Sequence, residues 1–211
     1  MRLHGYWRSG TSYRVRIALA LKGLAYEQVS YDLRRGEQRG ADYAALNPQP
    51  LVPALELDDG TVLTQSPAIL EWLEEAHPAP PLLPAAAGDR AIVRAMAALI
   101  GCDVHPLNNL RVLQALRHDL GADKAQIEAW TARWIGDGFA ALEPLVARHG
   151  RGAAFGTTPT LADCYLVPQV YSAERFGVPL DPYPRLVEAA AAVRARADVA
   201  AAHPDRQPDA A

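Results

Sequence analysis

The sequence predicts a small α/β domain followed by an all-helical one. Two observations carry this reading. Up to residue 76, apolar segments of strand length alternate with a helical period, and beyond residue 80 the apolar residues recur only at helical spacing. Between them, His77-Pro78-Ala79-Pro80-Pro81 reads as a linker, because proline removes backbone donors and stops a helix. The boundaries that follow are 1–80 for the first domain and 86–211 for the second.

The elements follow in order. Residues 1–6 read as a strand. Residues 12–22 carry Val15, Ile17, Ala18, Leu19 and Leu21 on an amphipathic helix, with Gly23 as its stop. Residues 26–31 are a second strand. The connector 33–50 is rich in charge and glycine, with a short irregular helix around 42–46. Strands at 52–57 and 61–64 flank Asp58-Asp59-Gly60, a hairpin signal. Ser66-Pro67 opens a helix to about residue 76, with Ser66 as cap and proline at the first position. In the second half, Ile92, Met96 and Ile100 mark a helix over 89–117 that Pro106 should kink. Ile127, Trp130, Trp134, Leu142 and Leu145 mark another over 123–148. Thr160 opens a third, with Asp163 three residues on in a capping arrangement. A last helix runs over 184–197, and 203–211 is irregular. No internal repeat is present.

Composition narrows the function. The chain has 211 residues, 50% of them hydrophobic and 21% charged, as in ordinary globular proteins. A net charge of −3 gives a nucleic-acid role no electrostatic support. No run reaches transmembrane length and no apolar signal segment is seen, so a cytoplasmic protein without membrane partners is expected. Cys102 and Cys164 form no CxxC pair, and no clustered Cys/His spacing or HExxH exists, so neither a disulfide framework nor a metal is expected. Lysine occurs only at Lys22 and Lys124, leaving nearly all positive charge on arginine, most of it expected at the surface. Arginine forks bind carboxylates bidentately, which lysine cannot do.

The most informative stretch is Trp7-Arg8-Ser9-Gly10-Thr11-Ser12. It sets hydroxyls between the first strand and the first helix. A helix N-terminus has free N–H groups and partial positive charge, so this turn can hold a small anion such as a thiolate. Ser12 acting as a plain N-cap is the simpler alternative.

These features together resemble the cytosolic glutathione transferases. Leu51-Val52-Pro53-Ala54-Leu55 resembles the loop in which a cis-proline precedes the third strand. Gln65-Ser66-Pro67 resembles the segment that binds the γ-glutamyl end of glutathione. Phe155-Gly156-Thr157-Thr158-Pro159-Thr160-Leu161-Ala162-Asp163 resembles the capped helix start of the second domain. Arg8 to Leu19 resembles the zeta-class signature, and Ala45-Leu46-Asn47-Pro48, Leu166-Val167-Pro168-Gln169-Val170, Ala173-Glu174-Arg175-Phe176 and Arg206-Gln207-Pro208-Asp209 extend the match over nearly the whole chain. The zeta class includes maleylacetoacetate isomerase and bacterial maleylpyruvate isomerases. Ser9-Gly10-Thr11 stands where its usual motif has serine, serine and cysteine, a variant that looks like the maleylpyruvate branch.

The resemblance implies a thioredoxin-like first domain and a glutathione-dependent cis–trans isomerase of a small dianionic substrate, working as a homodimer. Ser9 would donate to the glutathione thiolate, with Thr11 as the other candidate and Gly10 between them. Pro53 would hold Val52 so that its backbone groups pair with the cysteinyl part. Gln65 and Ser66 would take a carboxylate, and Gln38, His105, Asn109, Leu110 and Arg111 would complete the pocket. Gln38 and His105 also have bland readings, as a solvated polar side chain and as a hydrogen bond within the proline kink. Arg8, Arg111 and Arg175 would clamp the substrate carboxylates. Arg111, where typical maleylacetoacetate isomerases carry a small polar residue, favours maleylpyruvate. The competing expectations are a transferase that conjugates glutathione to apolar electrophiles, and a non-catalytic interaction module of the same fold.

Overall fold

The computed structural model describes residues 1–210; Ala211, the end of the tail expected to be irregular, lies outside the described residues. Four strands, β1 (Arg2–Gly5), β2 (Glu27–Ser30), β3 (Ala54–Glu56) and β4 (Val62–Thr64), form one sheet in the order β2-β1-β3-β4. β1 runs parallel to β2, with Leu3 opposite Gln28, and antiparallel to β3, with Leu3 opposite Leu55. β3 and β4 form the hairpin, turning where Gly60 has φ 85°. A parallel pair needs a crossover, and α1 (Gly10–Leu21) supplies it. After β2 come a 3₁₀ turn (Glu37–Arg39) and α2 (Ala41–Leu46), and after β4 comes α3 (Ser66–Ala76), which packs on α1. This is the β-α-β, connector, β-β-α order read from the sequence.

α1 departs from the amphipathic helix expected. Ser12 through Leu19 are all buried, including Arg14 and Arg16. The helix is covered by more than the sheet and α3, because α9 (Ala197–Ala200) from the tail also contacts it. The Arg16 guanidinium donates to Ala202 O at 3.0 Å, Trp7 O at 2.8 Å and Tyr6 O at 3.4 Å. The carboxylate of Asp209 accepts from Trp7 N–H at 2.9 Å and from the Gln28 amide at 2.6 Å. Met1–Leu82 and the tail from Arg194 onward therefore form one compact unit, and Leu83–Val193 forms the other. The tail, which the sequence grouped with the helical half, packs in the first unit.

In the second unit, the helix expected over 89–117 is four pieces. α4 (Ala87–Ala98) passes into a π-helical turn (Leu99–Val104), then a 3₁₀ turn (His105–Asn108), before α5 (Leu110–His118). Pro106 cannot supply the amide that Cys102 O would need in an α-helix. Packing holds the wider turn: a Cβ on Gly138 would sit 2.1 Å from Val104 Cγ2, and one on Gly101 would sit 2.9 Å from the Tyr165 ring. Gly138 lies on α6 (Lys124–His149) and Tyr165 on α7 (Leu161–Arg175). Trp130 Nε1 on α6 donates to Leu107 O at 2.9 Å, pinning the 3₁₀ turn. At the start of α7, the buried Asp163 carboxylate accepts from Thr160 N–H at 2.7 Å, Thr160 Oγ1 at 3.0 Å and Ala154 N–H at 2.8 Å. Burial still pushes its pKa up to about 6, against the pull of those donors. α8 (Pro184–Arg194) is the last long helix. Among the described residues, no helix is long and apolar enough to cross a membrane.

The linker is pinned rather than loose. The fully buried Lys22 ammonium donates to Glu74 Oε2 at 2.8 Å, His77 O at 2.6 Å and Pro80 O at 2.9 Å, using all three of its protons. Glu74 Oε2 also accepts from Leu82 N–H at 2.8 Å. Lys22→Met removes the cation paired with the buried Glu74 carboxylate and should cost about 3–5 kcal/mol in urea unfolding. Adding Glu74→Gln, which keeps an acceptor for Leu82, should recover part of that loss. A single variant as stable as wild type would show that the pair contributes nothing.

Candidate active site

The turn between β1 and α1 has its backbone groups fixed from several sides. Ser9 N–H donates to Tyr6 O at 3.0 Å, and Ser9 O accepts from Tyr13 N–H at 2.9 Å. Ser9, with φ −68° and ψ 120°, is the N-cap of α1, its Oγ accepting from Ser12 N–H at 3.2 Å. Ser12, the alternative cap read from the sequence, lies instead inside the first turn of α1. It is fully buried, and its Oγ accepts from Tyr6 N–H at 3.4 Å. Gly5 permits this, since a Cβ there would stand 3.0 Å from Ser12 Oγ. The hydroxyl at the N-terminus of α1 is thus that of Ser9. Gly10 is the first helical residue, and Thr11 follows on the same turn.

Ser9, Thr11 and Val52 form one hydrogen-bonded chain. Ser9 Oγ lies 2.9 Å from Thr11 Oγ1, and Thr11 Oγ1 donates to Val52 O at 2.9 Å. The Val52–Pro53 peptide bond is cis, as the resemblance implied, and Pro53 is buried just before β3. The preceding loop is held by Tyr43 Oη and Asn47 Nδ2, which donate to Leu51 O at 2.6 and 2.7 Å. Burial pushes the Tyr43 phenol up to about 12, so it stays a donor.

A second anion-ready feature lies at α3. Its N-cap is Gln65, with Ser66 at the first helical position and Pro67 at the second, so the helix starts one residue earlier than the sequence reading. Gln65 has φ 68° and ψ 114°, a conformation that strains a residue with a Cβ. No side chain caps α3, so its first-turn amides remain available to an anion. Ser66 is buried, and Arg14 Nη1 donates to its Oγ at 3.4 Å. Gln65 Nε2 donates to Gln49 Oε1. Gln38 is only 7% exposed, and its Oε1 has no hydrogen-bond partner among the described residues, which overturns the solvated reading. A buried acceptor of that kind requires an explanation, and a ligand N–H is one.

The remaining predicted residues lie in the second unit, except Arg8. His105 opens the 3₁₀ turn. Asn109 caps α5, its Oδ1 accepting from Arg111 N–H at 3.2 Å. Leu110 is 42% exposed, unusual for leucine, and Arg111 is exposed beside it. Arg175 ends α7 with its guanidinium 4.3 Å from the centre of the Phe176 ring, and Arg8 lies 5.2 Å from that of Trp7. The structure thus joins Ser9, Thr11 and Val52 directly, and links Ser66 to the same helix α1 through Arg14. Sequence reasoning missed Arg14, Arg16 and Asp209. The signal for the two arginines was their place in an otherwise apolar helix; Asp209 had none beyond its family motif. Among the described residues no cluster of His, Cys, Asp or Glu could hold a metal.

Residues 8–76, which contain both anion-ready features, match the glutathione S-transferase N-terminal domain. A maleylpyruvate isomerase of Ralstonia sp. is 54% identical over 215 residues, covering 100% of both chains. A holo structure of maleylpyruvate isomerase, described as a bacterial glutathione S-transferase of the zeta class, superposes with a TM-score of 0.97 at 53% identity, covering 100% of both chains. A maleylacetoacetate isomerase from Anaeromyxobacter dehalogenans, solved with glutathione in its active site, gives a TM-score of 0.90 at 49% identity, covering 100% of this chain and 97% of that one. With full-length identity at this level and the hydroxyl turn, cis-proline loop and uncapped α3 all in place, the chain belongs to the zeta class of the glutathione transferase family.

Proposed function

We propose that the protein isomerises maleylpyruvate to fumarylpyruvate, with glutathione as its cofactor, in the breakdown of aromatic compounds. Maleylacetoacetate, which carries the same cis double bond, is the alternative substrate. The observation that carries this reading is the hydroxyl pair Ser9–Thr11 at the N-terminus of α1, bonded to Val52 O. Residues 1–80 bind glutathione and 86–211 bind the substrate, and the enzyme is a cytoplasmic homodimer.

The chemistry needs a nucleophile that leaves again. Bound glutathione would supply a thiolate that adds reversibly to one carbon of the cis double bond, lets the resulting single bond turn and leaves as the trans double bond re-forms, so no net proton or electron would be consumed. Ser9 donates to the thiolate, and the N-terminus of α1 adds partial positive charge. Val52 pairs with the cysteinyl peptide group. Gln65, Ser66 and the free amides of α3 take the γ-glutamyl carboxylate, with Arg14 behind Ser66. Gln38, His105, Asn109, Leu110 and Arg111 complete the cofactor site. Arg8, Arg111 and Arg175 bind the substrate carboxylates. Charge at these positions favours a dianion over an apolar electrophile.

Purified protein should turn over maleylpyruvate only when glutathione is present, followed by loss of the substrate's ultraviolet absorbance. Equal rates without glutathione would overturn the adduct mechanism. Ser9→Ala should raise the pKa of bound glutathione, read from thiolate absorbance. It should also slow turnover at neutral pH roughly ten- to a hundredfold, the worth of one hydrogen bond to a charged group at about 1.5–3 kcal/mol. Arg175→Lys keeps the charge and loses the fork. It should raise KM for maleylpyruvate several-fold and leave both glutathione affinity and conjugation of a neutral chloroaromatic unchanged. Parallel losses on both substrates would assign Arg175 to the fold instead.

A further inference from the structure

The hydrogen-bonded chain at the turn contains too few protons for Ser9 to do two things at once. Val52 O can only accept, so the 2.9 Å contact with Thr11 Oγ1 uses the Thr11 proton. The 2.9 Å contact between the two hydroxyls must then use the Ser9 proton. The other bond at Ser9 Oγ is accepted from Ser12 N–H and supplies no proton for Ser9 to donate onward. In this arrangement Ser9 donates to Thr11. To donate to a thiolate, its proton must turn away, and two hydroxyl oxygens 2.9 Å apart would then face each other with no hydrogen between them unless Thr11 supplies one.

We propose that Thr11 is a positioning residue that acts through Ser9, as a hydroxyl switch. It rests on the reading that glutathione binds here with its cysteinyl peptide group on Val52. The cysteinyl N–H donates to Val52 O and so meets that carbonyl's need for a donor. Thr11 then rotates its hydroxyl from Val52 O to Ser9 Oγ, and the Ser9 proton turns to the sulfur. No covalent bond changes, and each oxygen keeps its own proton. Seating of the cofactor's peptide group and stabilisation of its thiolate become one event. Donation from Thr11 also polarises the Ser9 hydroxyl, which strengthens its bond to the anion.

The test combines the thiol pKa of bound glutathione with the affinity for S-methylglutathione, which has the peptide group but cannot form a thiolate. Thr11→Val removes the hydroxyl and keeps the shape. It should raise the bound thiol pKa by about half a unit, the scale of cooperative strengthening between adjacent hydrogen bonds. It should leave S-methylglutathione affinity within about twofold of wild type, because Val52 O remains open to the ligand N–H. Thr11→Ser should restore the wild-type pKa. In a Ser9→Ala background, Thr11→Val should have no further effect on that pKa, since the residue it acts through is gone. Equal shifts with and without Ser9 would make Thr11 a direct donor and overturn the switch. An unchanged pKa in Thr11→Val, or losses of affinity that parallel the pKa shift, would overturn it too. Thr11→Ala gives the same cycle if the valine variant does not fold. Failure of wild type to bind glutathione, or to acidify it relative to free glutathione, would instead remove the binding reading on which the switch rests.

Discussion

The turn between β1 and α1 depends on a guanidinium buried among carbonyl oxygens. Arg16 sits on the second turn of α1 at 1% exposure. Its planar fork reaches Tyr6 O and Trp7 O on the segment leading to Ser9, and Ala202 O on the tail. A lysine has one donor centre and could not span them. Because the cation is buried, moving these carbonyls away would cost it hydrogen bonds that water does not replace. Asp209 fixes the same segment from the other side through Trp7 N–H. The Ser9 hydroxyl is therefore set relative to α1 before any ligand arrives, which is what stabilisation by fixed dipoles requires.

The first unit offers anions backbone amides and hydroxyls rather than mobile charges. α1 begins at the Ser9–Thr11 pair. α3 begins without a side-chain cap, at a Gln65 held with φ 68°. Arg14 is buried and donates to Ser66 Oγ, a bond that does not use the Ser66 proton. Groups of this kind lose little entropy on binding.

In the second unit, glycines decide where the helix yields. Gly138 lets the π-helical turn approach α6, and Gly101 lets Tyr165 approach that turn. Trp130 then closes on Leu107 O. The segment from His105 to Arg111 is thereby presented as a 3₁₀ turn followed by a new helix N-terminus at Asn109, not as the middle of a long kinked helix.

The strand–helix order, the hairpin at Gly60, the stop at Gly23, the capped start at Thr160 and the linker prolines were all legible, because each is local chemistry. A period, a missing N–H or a reach of three residues is fixed by neighbours in the chain. Ser9, Val52, Pro53, Gln65 and Ser66 were singled out by their resemblance to the family's motifs, and the cis bond before Pro53 was part of that expectation. Burial of Arg14, Arg16, Lys22 and Gln38 was not, nor was the break of one helix into a π-turn and a 3₁₀ turn. Whether a charged side chain is solvated depends on what covers it: the partners of Arg16 lie 186 residues away as well as 9 and 10. Which of Ser9 and Ser12 caps α1 was likewise decided by tertiary contact, because Gly5 on β1 makes room for Ser12 inside. The sequence alone determined the elements and the family to which they belong. Only the folded chain decided which hydroxyl caps α1 and joins Val52, since that choice depends on atoms brought together from β1, α1 and the loop before β3.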